Sequence, residues 1–443
     1  MRRAAIVLLA LAAAACAPAA GAGQTTPTTP IRHIVVLMQE NHSFDNYFGT
    51  YPGAAGPPAR ACLPKSFQAA LGCTRPSHVG GRAVLGLGND PALFSAQYHG
   101  GKMDGFVAAY RVGRGLGSLP NPMGYYDARD LPYAWNLADG YVLFDHFFSS
   151  AHGGSVWNHM FAISAGPGNR AGDVLPPAGY PDTTTIFDRL QSAGLPWRFY
   201  VRDYDPTNTL DSPAPGSRTS QLLQVPLLAM PRFIHTPLLA SGIVDMQQFY
   251  SDAQSGHLPA VSYIAPGGLS EHPPGRLVAG QTFVRTIVNE LMRSPEWRST
   301  AFVLTYDSWG GWYDHVRPPT VDRYGYGFRV PALLVSPYAR RGAIDHTILD
   351  FTSILRFIED NWRLAPLTRR DADAQSIASA FDFAAPPRSA AYVSAGRSTA
   401  PAATVHTRVV YWAYGGAVML AVALMAAALA TRRRAVGRAE VAP

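Results

Sequence analysis

Residues 31–53 read IRHIVVLMQENHSFDNYFGTYPG. An apolar, β-favouring run, His33 to Met38, is followed at once by a polar cluster of Gln39, Glu40, Asn41, His42, Ser43 and Asp45. A short apolar run bounded by polar residues reads as a buried strand. In an open α/β sheet, ligands bind just beyond the carboxyl ends of the strands, so Glu40 and Asn41 fall where a site is expected. A carboxylate beside an amide oxygen offers hard oxygen ligands to a divalent cation.

Further apolar runs follow the same rule, and strands are expected at Tyr141 to Phe144, Trp197 to Val201, Val261 to Ile264, Ala301 to Thr305 and Val330 to Val335. Helical patterns lie between several of them: Thr184 to Ala193 stopped by Gly194, Gln281 to Arg293 stopped by Pro295, and His346 to Trp362. Strands alternating with helices imply an α/β fold, with a mostly parallel central sheet covered by helices on both faces. Residues 54–130 and 202–235 lack this rhythm and read as loop insertions or a cap over the site.

Chemistry gathers at the other strand ends as well. After Phe144 come Asp145, His146 and SSAHGGSVWNHMF, in which Gly153 and Gly154 precede Ser155, with Asn158 and His159 close behind. Glycines ahead of a hydroxyl let the backbone turn sharply and expose the oxygen, and nearby amides can receive an anion. A serine needs activation to act as a nucleophile, and metal coordination supplies it. After Thr305 come Tyr306, Asp307 and Ser308, then Gly310 to His315. An acid at the first strand, an acid at a late strand and a hydroxyl between them form the parts of a metal-assisted phosphoryl-transfer site.

The chain has 443 residues and a net charge of +7, with 47% hydrophobic and 15% charged residues. That composition supports one large core. Arg2 and Arg3, together with five arginines against Glu440 in residues 408–443, account for all but about one of the positive charges. A near-neutral body gives no electrostatic reason to expect nucleic acid. Residues 1–22 have the pattern of a secretory signal. In an exported chain, Cys62 and Cys73 are expected to form a local disulfide rather than bind metal. Val409 to Ala430 carries no charge over a length that can cross a bilayer, and Arg432, Arg433 and Arg434 follow. The expected organisation is therefore signal (1–22), exported catalytic domain (31–383), Ala/Pro-rich linker (384–408), transmembrane helix (409–431) and basic cytoplasmic tail (432–443). It would anchor the catalytic domain on the extracytoplasmic side of the cell membrane.

The stretches ENHSFDNYFGTYPG, GGKMDGFV, GGSVWNHMF, EHPPG, TYDSWGGWYDHVRPP and FTSILRFIEDNW span residues 31 to about 365. In that order they resemble the motifs of the bacterial phosphoesterase family that contains non-haemolytic phospholipases C and related acid phosphatases. The resemblance implies an alkaline-phosphatase-like fold. It makes Glu40, Asn41 and Asp307 metal ligands and Ser155 the nucleophile. Asn158 would contact a phosphoryl oxygen, His272 would protonate the leaving group or stabilise phosphoryl oxygens, and Asp314 and His315 would touch or support the metal, His315 the more so. With hard oxygen ligands dominant, calcium, magnesium or manganese is expected rather than zinc.

Two positions depart from the family pattern. Ser308 stands where a second acid usually follows the late-strand Asp, and Asn89 stands near the place of a histidine found in many relatives. Three activities follow as expectations. The first is a phospholipase C acting on phosphatidylcholine-type lipids, the second a broad acid phosphatase acting on exported monoesters. The third is a catalytically impaired, membrane-tethered binding protein, motivated by Ser308 and Asn89.

Overall fold

The run His33–Gln39 forms the strand β1 with six of its seven residues buried, as an apolar run without polar alternation requires in a sheet covered on both faces. The computed structural model describes residues 26–68, 70–80, 84, 86–109, 122–169, 172–212 and 220–397. The remaining strands of the main sheet are β2 (Val142–Phe144), β3 (Trp197–Val201), β4 (Ile243–Asp245), β5 (Val261–Ala265), β6 (Thr300–Tyr306), β7 (Ala332–Val335) and β8 (Ala343–Asp345). They form an eight-stranded sheet in the order β8-β2-β7-β6-β1-β5-β3-β4. Five strand pairs are parallel. Only β7 runs against its neighbours β6 and β2. The expected α/β class with a mostly parallel sheet is therefore observed.

The register of the central pair decides where the chemistry goes. Gln39 at the end of β1 lies opposite Tyr306 at the end of β6. The Asp307 N–H donates to the Gln39 carbonyl at 2.9 Å. Glu40 and Asp307 therefore leave the sheet side by side.

Helices cover the sheet and turn an apolar face to it. Leu277–Arg293 presents Phe283, Val284, Ile287, Val288, Leu291 and Met292 to the core. Phe351–Trp362 packs beside Ser155–Ser164. Its start differs from the sequence expectation, which began at His346. Asp350 caps the helix through a reciprocal bond pattern with Ser353, so residues 346–349 stay outside it.

The insertion 54–130 carries the Cys62–Cys73 disulfide. It is pinned by a separate apolar cluster in which Phe94, Phe106 and Met123 meet Trp309, Tyr313 and Phe328. Residues 384–397, read from the sequence as the start of a linker, are held to the body. Arg388 donates to the carbonyls of Gly140 and Ala339 at 2.9 Å each, and Arg397 is paired with Asp139.

The expected C-terminal membrane helix is corrected here. Among the described residues no helix is long and apolar enough to cross a membrane. The longest, Leu277–Arg293, has 17 residues and is polar along its outer face because it packs on the sheet. Anchoring through such a helix, the transmembrane assignment, the membrane as a partner and the localisation derived from them are thus unsupported. The segments 1–22 and 409–443 lie outside the described residues.

Candidate active site

Beyond the carboxyl end of β1 the chain must turn at once, and Asn41 does so with φ at 65°. Asparagine tolerates this left-handed region better than most residues. The loop after β6 closes over that turn. A Cβ on Gly310 would lie 2.2 Å from the Asn41 carbonyl oxygen and one on Gly311 would lie 2.3 Å from the Leu87 Cβ, so both positions require glycine.

Glu40, Asn41 and Asp307, the three expected metal ligands, come together at this point. Asp307 is fully buried. Its Oδ1 accepts the Asn41 N–H at 2.9 Å, whereas its Oδ2 has no hydrogen-bond partner. An ionised oxygen buried without a donor is expensive unless a cation compensates it. Glu40 accepts from Gln224 Nε2 at 2.8 Å and from Ser270 Oγ at 3.4 Å. Burial, and secondly the Asp307 charge, push its carboxyl up to about 8. Two carboxylates buried side by side, one pushed up by burial and its neighbour's charge and the other with an orphaned oxygen, fit a divalent cation held by Glu40, Asp307 and Asn41.

This crowding gives a prediction for the metal-free chain. The folded Glu40 holds a proton up to about 8, while an unfolded glutamate releases it near 4.5. The contribution to stability is therefore complete below that window and falls as pH rises through it. In chelator-treated protein the melting temperature should decline between about pH 5 and about 8 more steeply than in Glu40→Gln. An identical slope in the two proteins would contradict the assignment of the proton to Glu40.

Ser155 begins the helix Ser155–Ser164 and is half-buried. The residue before it, Gly154, has no side chain to cap the helix, and Asp173 does so instead. Its carboxylate accepts the Gly154 N–H and, at 2.8 Å, the Trp157 N–H. A Cβ on Gly154 would lie 2.7 Å from that carboxylate and 2.9 Å from the Asn89 carbonyl oxygen. Burial pushes the Asp173 carboxyl above its usual range, against the pull of those two N–H groups.

Asn89 links these pieces. Its amide nitrogen lies 2.8 Å from Asn41 Oδ1, 2.9 Å from Ser308 Oγ and 3.2 Å from Ser155 Oγ. Ser308 Oγ also donates to Asn41 Oδ1 at 2.7 Å. The two positions that depart from the family pattern are thus in contact, and both spend a donor on the Asn41 oxygen.

The other expected residues stand differently. Asn158 is fully buried, donating to the Gly153 and Gly154 carbonyls at 3.0 and 2.9 Å and accepting the Ser150 N–H at 2.9 Å. All of these bonds shape the turn that carries Ser155. His272 is exposed, and its Nδ1 lies 2.7 Å from the Pro273 carbonyl, which fixes the proton there and leaves Nε2 as the acceptor. The preceding Glu271 anchors that loop on the Tyr47 and Tyr306 hydroxyls at 2.7 and 2.8 Å.

His315 belongs to a neighbouring group. Its Nδ1 lies 2.7 Å from Asp45, and the fully buried Arg329 reaches Asp45 and Asp314 at 2.8 Å each. Sequence reasoning missed Gln224, Asp173, Ser270 and Arg329 as parts of the site. It noted His159, whose Nδ1 lies 2.9 Å from the Ser155 carbonyl and 4.0 Å from the Asp307 carboxylate, without giving it a role.

The chain is similar to several known proteins. The model of the Phosphoesterase family matches residues 31–365. Phospholipase C B of Mycobacterium tuberculosis is 31% identical over 427 residues, covering 81% of this chain and 79% of its own. Non-hemolytic phospholipase C of Pseudomonas aeruginosa is 28% identical, covering 80% of this chain and 58% of its own. Among solved structures, a protein of the alkaline phosphatase superfamily from Vibrio parahaemolyticus overlays with a TM-score of 0.37 at 11% identity, over 79% of this chain and 70% of its own.

Proposed function

We infer the reaction from the family: the chain belongs to the Phosphoesterase family and is a hydrolase acting on phosphoric ester bonds. We propose that it is a phospholipase C that cleaves phosphatidylcholine-type lipids to diacylglycerol and a phosphorylated headgroup, with Ser155 as nucleophile. The observation that carries this reading is the Ser155 hydroxyl at a helix start, joined through Asn89 to Asn41, beside a buried Asp307 oxygen without a donor. The lipid as substrate rests on the names of the relatives of 31% and 28% identity.

The chain's own groups divide the work as follows. Ser155 Oγ releases its proton to solvent and bonds to phosphorus as the bond from phosphorus to the diacylglycerol oxygen breaks. His272, exposed and with Nε2 as acceptor, takes up a solvent proton there and passes it to that oxygen. Water then attacks the phosphoserine, its hydroxyl going to phosphorus and its proton to Ser155 Oγ, which frees the headgroup phosphate. Asn89 holds Oγ, Asn158 holds the turn beneath it, and Asp173 fixes the helix start. A divalent cation, when bound by Glu40, Asn41 and Asp307, supplies positive charge that favours the ionised hydroxyl and the charged phosphoryl oxygens.

Incubation of the purified chain with phosphatidylcholine vesicles and, separately, a chromogenic phosphate monoester, each with calcium, magnesium or manganese, tests the proposal. Phosphocholine and diacylglycerol that appear only with metal are the expected result. Turnover of the monoester alone would replace the phospholipase with a phosphatase. Inactivity on both, with Ser308 in place of an acid, would leave a binding scaffold.

A further inference from the structure

The strand pairing that brings Glu40 and Asp307 together is repeated at the edge of the sheet. Phe144 at the end of β2 lies opposite Asp345 at the end of the parallel strand β8. The next residues, Asp145 and His346, therefore emerge side by side, and the Asp145 N–H donates to the Asp345 carbonyl at 3.2 Å. His146 follows directly. Its Nδ1 lies 2.8 Å from Asp145 Oδ1, and the Nδ1 of His346 lies 2.9 Å from each oxygen of the same carboxylate. Asp145 is fully buried, with the Ala55 N–H on Oδ2 at 2.9 Å, while the two imidazoles are 26% and 63% exposed. Only β7 separates β2 from β6, so the cluster lies roughly 10 Å along the sheet from the Asp307 strand end.

We propose that Asp145, His146 and His346 form a second metal site, selective for zinc or a similar transition ion. Two imidazoles and one carboxylate are a donor set suited to zinc and poorly suited to calcium or magnesium. Three donor atoms of the set lie within 4.8 Å of one another. Tetrahedral bonds of ~2.0–2.1 Å place donors ~3.3 Å apart, so closure on a cation asks each imidazole to retreat by only about 0.5 Å. His346 is free to make that movement because most of its ring is in solvent, and solvent would supply the fourth ligand. The ion would clasp the ends of β2 and β8 and, through Ala55, the loop that follows the first site motif.

Two other clusters of similar composition lack this property. Asp45, Asp314 and His315 already enclose the Arg329 guanidinium, which repels a cation. In the group of His78, Asp127 and Asp130, both oxygens of Asp127 are taken by Arg129. Arg329 approaches Asp145 as well, but it donates to the backbone carbonyl at 2.7 Å and leaves the carboxylate to the histidines.

Zinc and cobalt binding to the metal-stripped chain tests the proposal. His346→Ala should bind one equivalent of zinc fewer than the parent, and so should His146→Ala, with little change in the zinc-free melting temperature. Zinc at about a hundredfold excess over its Kd should raise the parent melting temperature by a few degrees more than that of either variant. Cobalt should give the parent a visible absorption band of a low-symmetry nitrogen and oxygen site, absent from both variants. Equal zinc stoichiometry in parent and His346→Ala, or a parent that takes up only the ion held by Glu40 and Asp307, would overturn the assignment. A parallel titration of Asp307→Asn separates the two centres, because this variant should keep the zinc equivalent that depends on His346.

Discussion

Ser155→Ala is expected to lower kcat on any phosphoester substrate of this chain by about four orders of magnitude or more, with little effect on stability. The size of the loss follows from the role proposed for the hydroxyl. It is the atom that bonds to phosphorus, and among the described residues no other serine or threonine stands at a helix start in contact with Asn89. The small stability effect follows from how the helix is held. Asp173, not Ser155, accepts the free N–H groups of the first turn. Removal of Oγ costs a single contact at 3.2 Å to Asn89, whose amide keeps Asn41 and Ser308. The melting temperature should therefore stay within the range of an ordinary surface substitution, about 0.5 kcal/mol. Single-turnover assays with the mutant, alongside thermal melts, check both halves. A mutant that retains activity within tenfold would mean that water attacks phosphorus directly, and the serine would then be a substrate contact.

The reason this site was readable in the sequence is that its central part is local. Glu40, Asn41 and Asp307 each follow an apolar run directly, and the parallel register of β1 and β6 converts two sequence neighbourhoods into one spatial one. The six strands expected from such runs are present, Trp197–Val201 at its expected bounds and the others with shifts of one or two residues at their ends. The two edge strands, Ile243–Asp245 and Ala343–Asp345, were not legible, because three residues with a polar member show no periodicity. The supporting residues were hidden for a different reason. Gln224 meets Glu40 across 184 positions of chain, and Asp173 sits in an irregular loop whose only signal is its distance from any helix it might cap. His315 shows the converse. Its motif was legible and so was its nearness to the site, but the cation that organises it, Arg329, lies on a separate segment with no sequence signature of its own.

Arg329→Met should destabilise the chain by about 3–5 kcal/mol, because it leaves two buried carboxylates without their cation. The guanidinium is fully buried over the Phe44 ring, with its carbon 4.6 Å from the ring centre. It donates to Asp45 and Asp314 at 2.8 Å each and to the carbonyls of Ala55 and Asp145 at 2.9 and 2.7 Å. Burial pushes the Asp314 carboxyl up despite this partner, and the two carboxylates hold the arginine proton more firmly than usual even though burial opposes it. Without the cation both acids would be buried with no compensating charge. The consequence reaches the active site, since Asp45 lies four residues beyond Asn41 and Asp314 lies seven beyond Asp307. Arg329 thus fastens the turn after β1 to the loop after β6, and its loss should loosen the spacing of Glu40 and Asp307 and weaken divalent-ion affinity together with stability. Chemical denaturation of Arg329→Met measures the first effect and a magnesium or manganese titration the second. Adding Asp45→Asn and Asp314→Asn to the variant should recover part of the stability, since the stranded charges are then gone. A loss below about 1 kcal/mol in the single variant would show that water reaches these acids and that the ion cluster does not hold the two loops together.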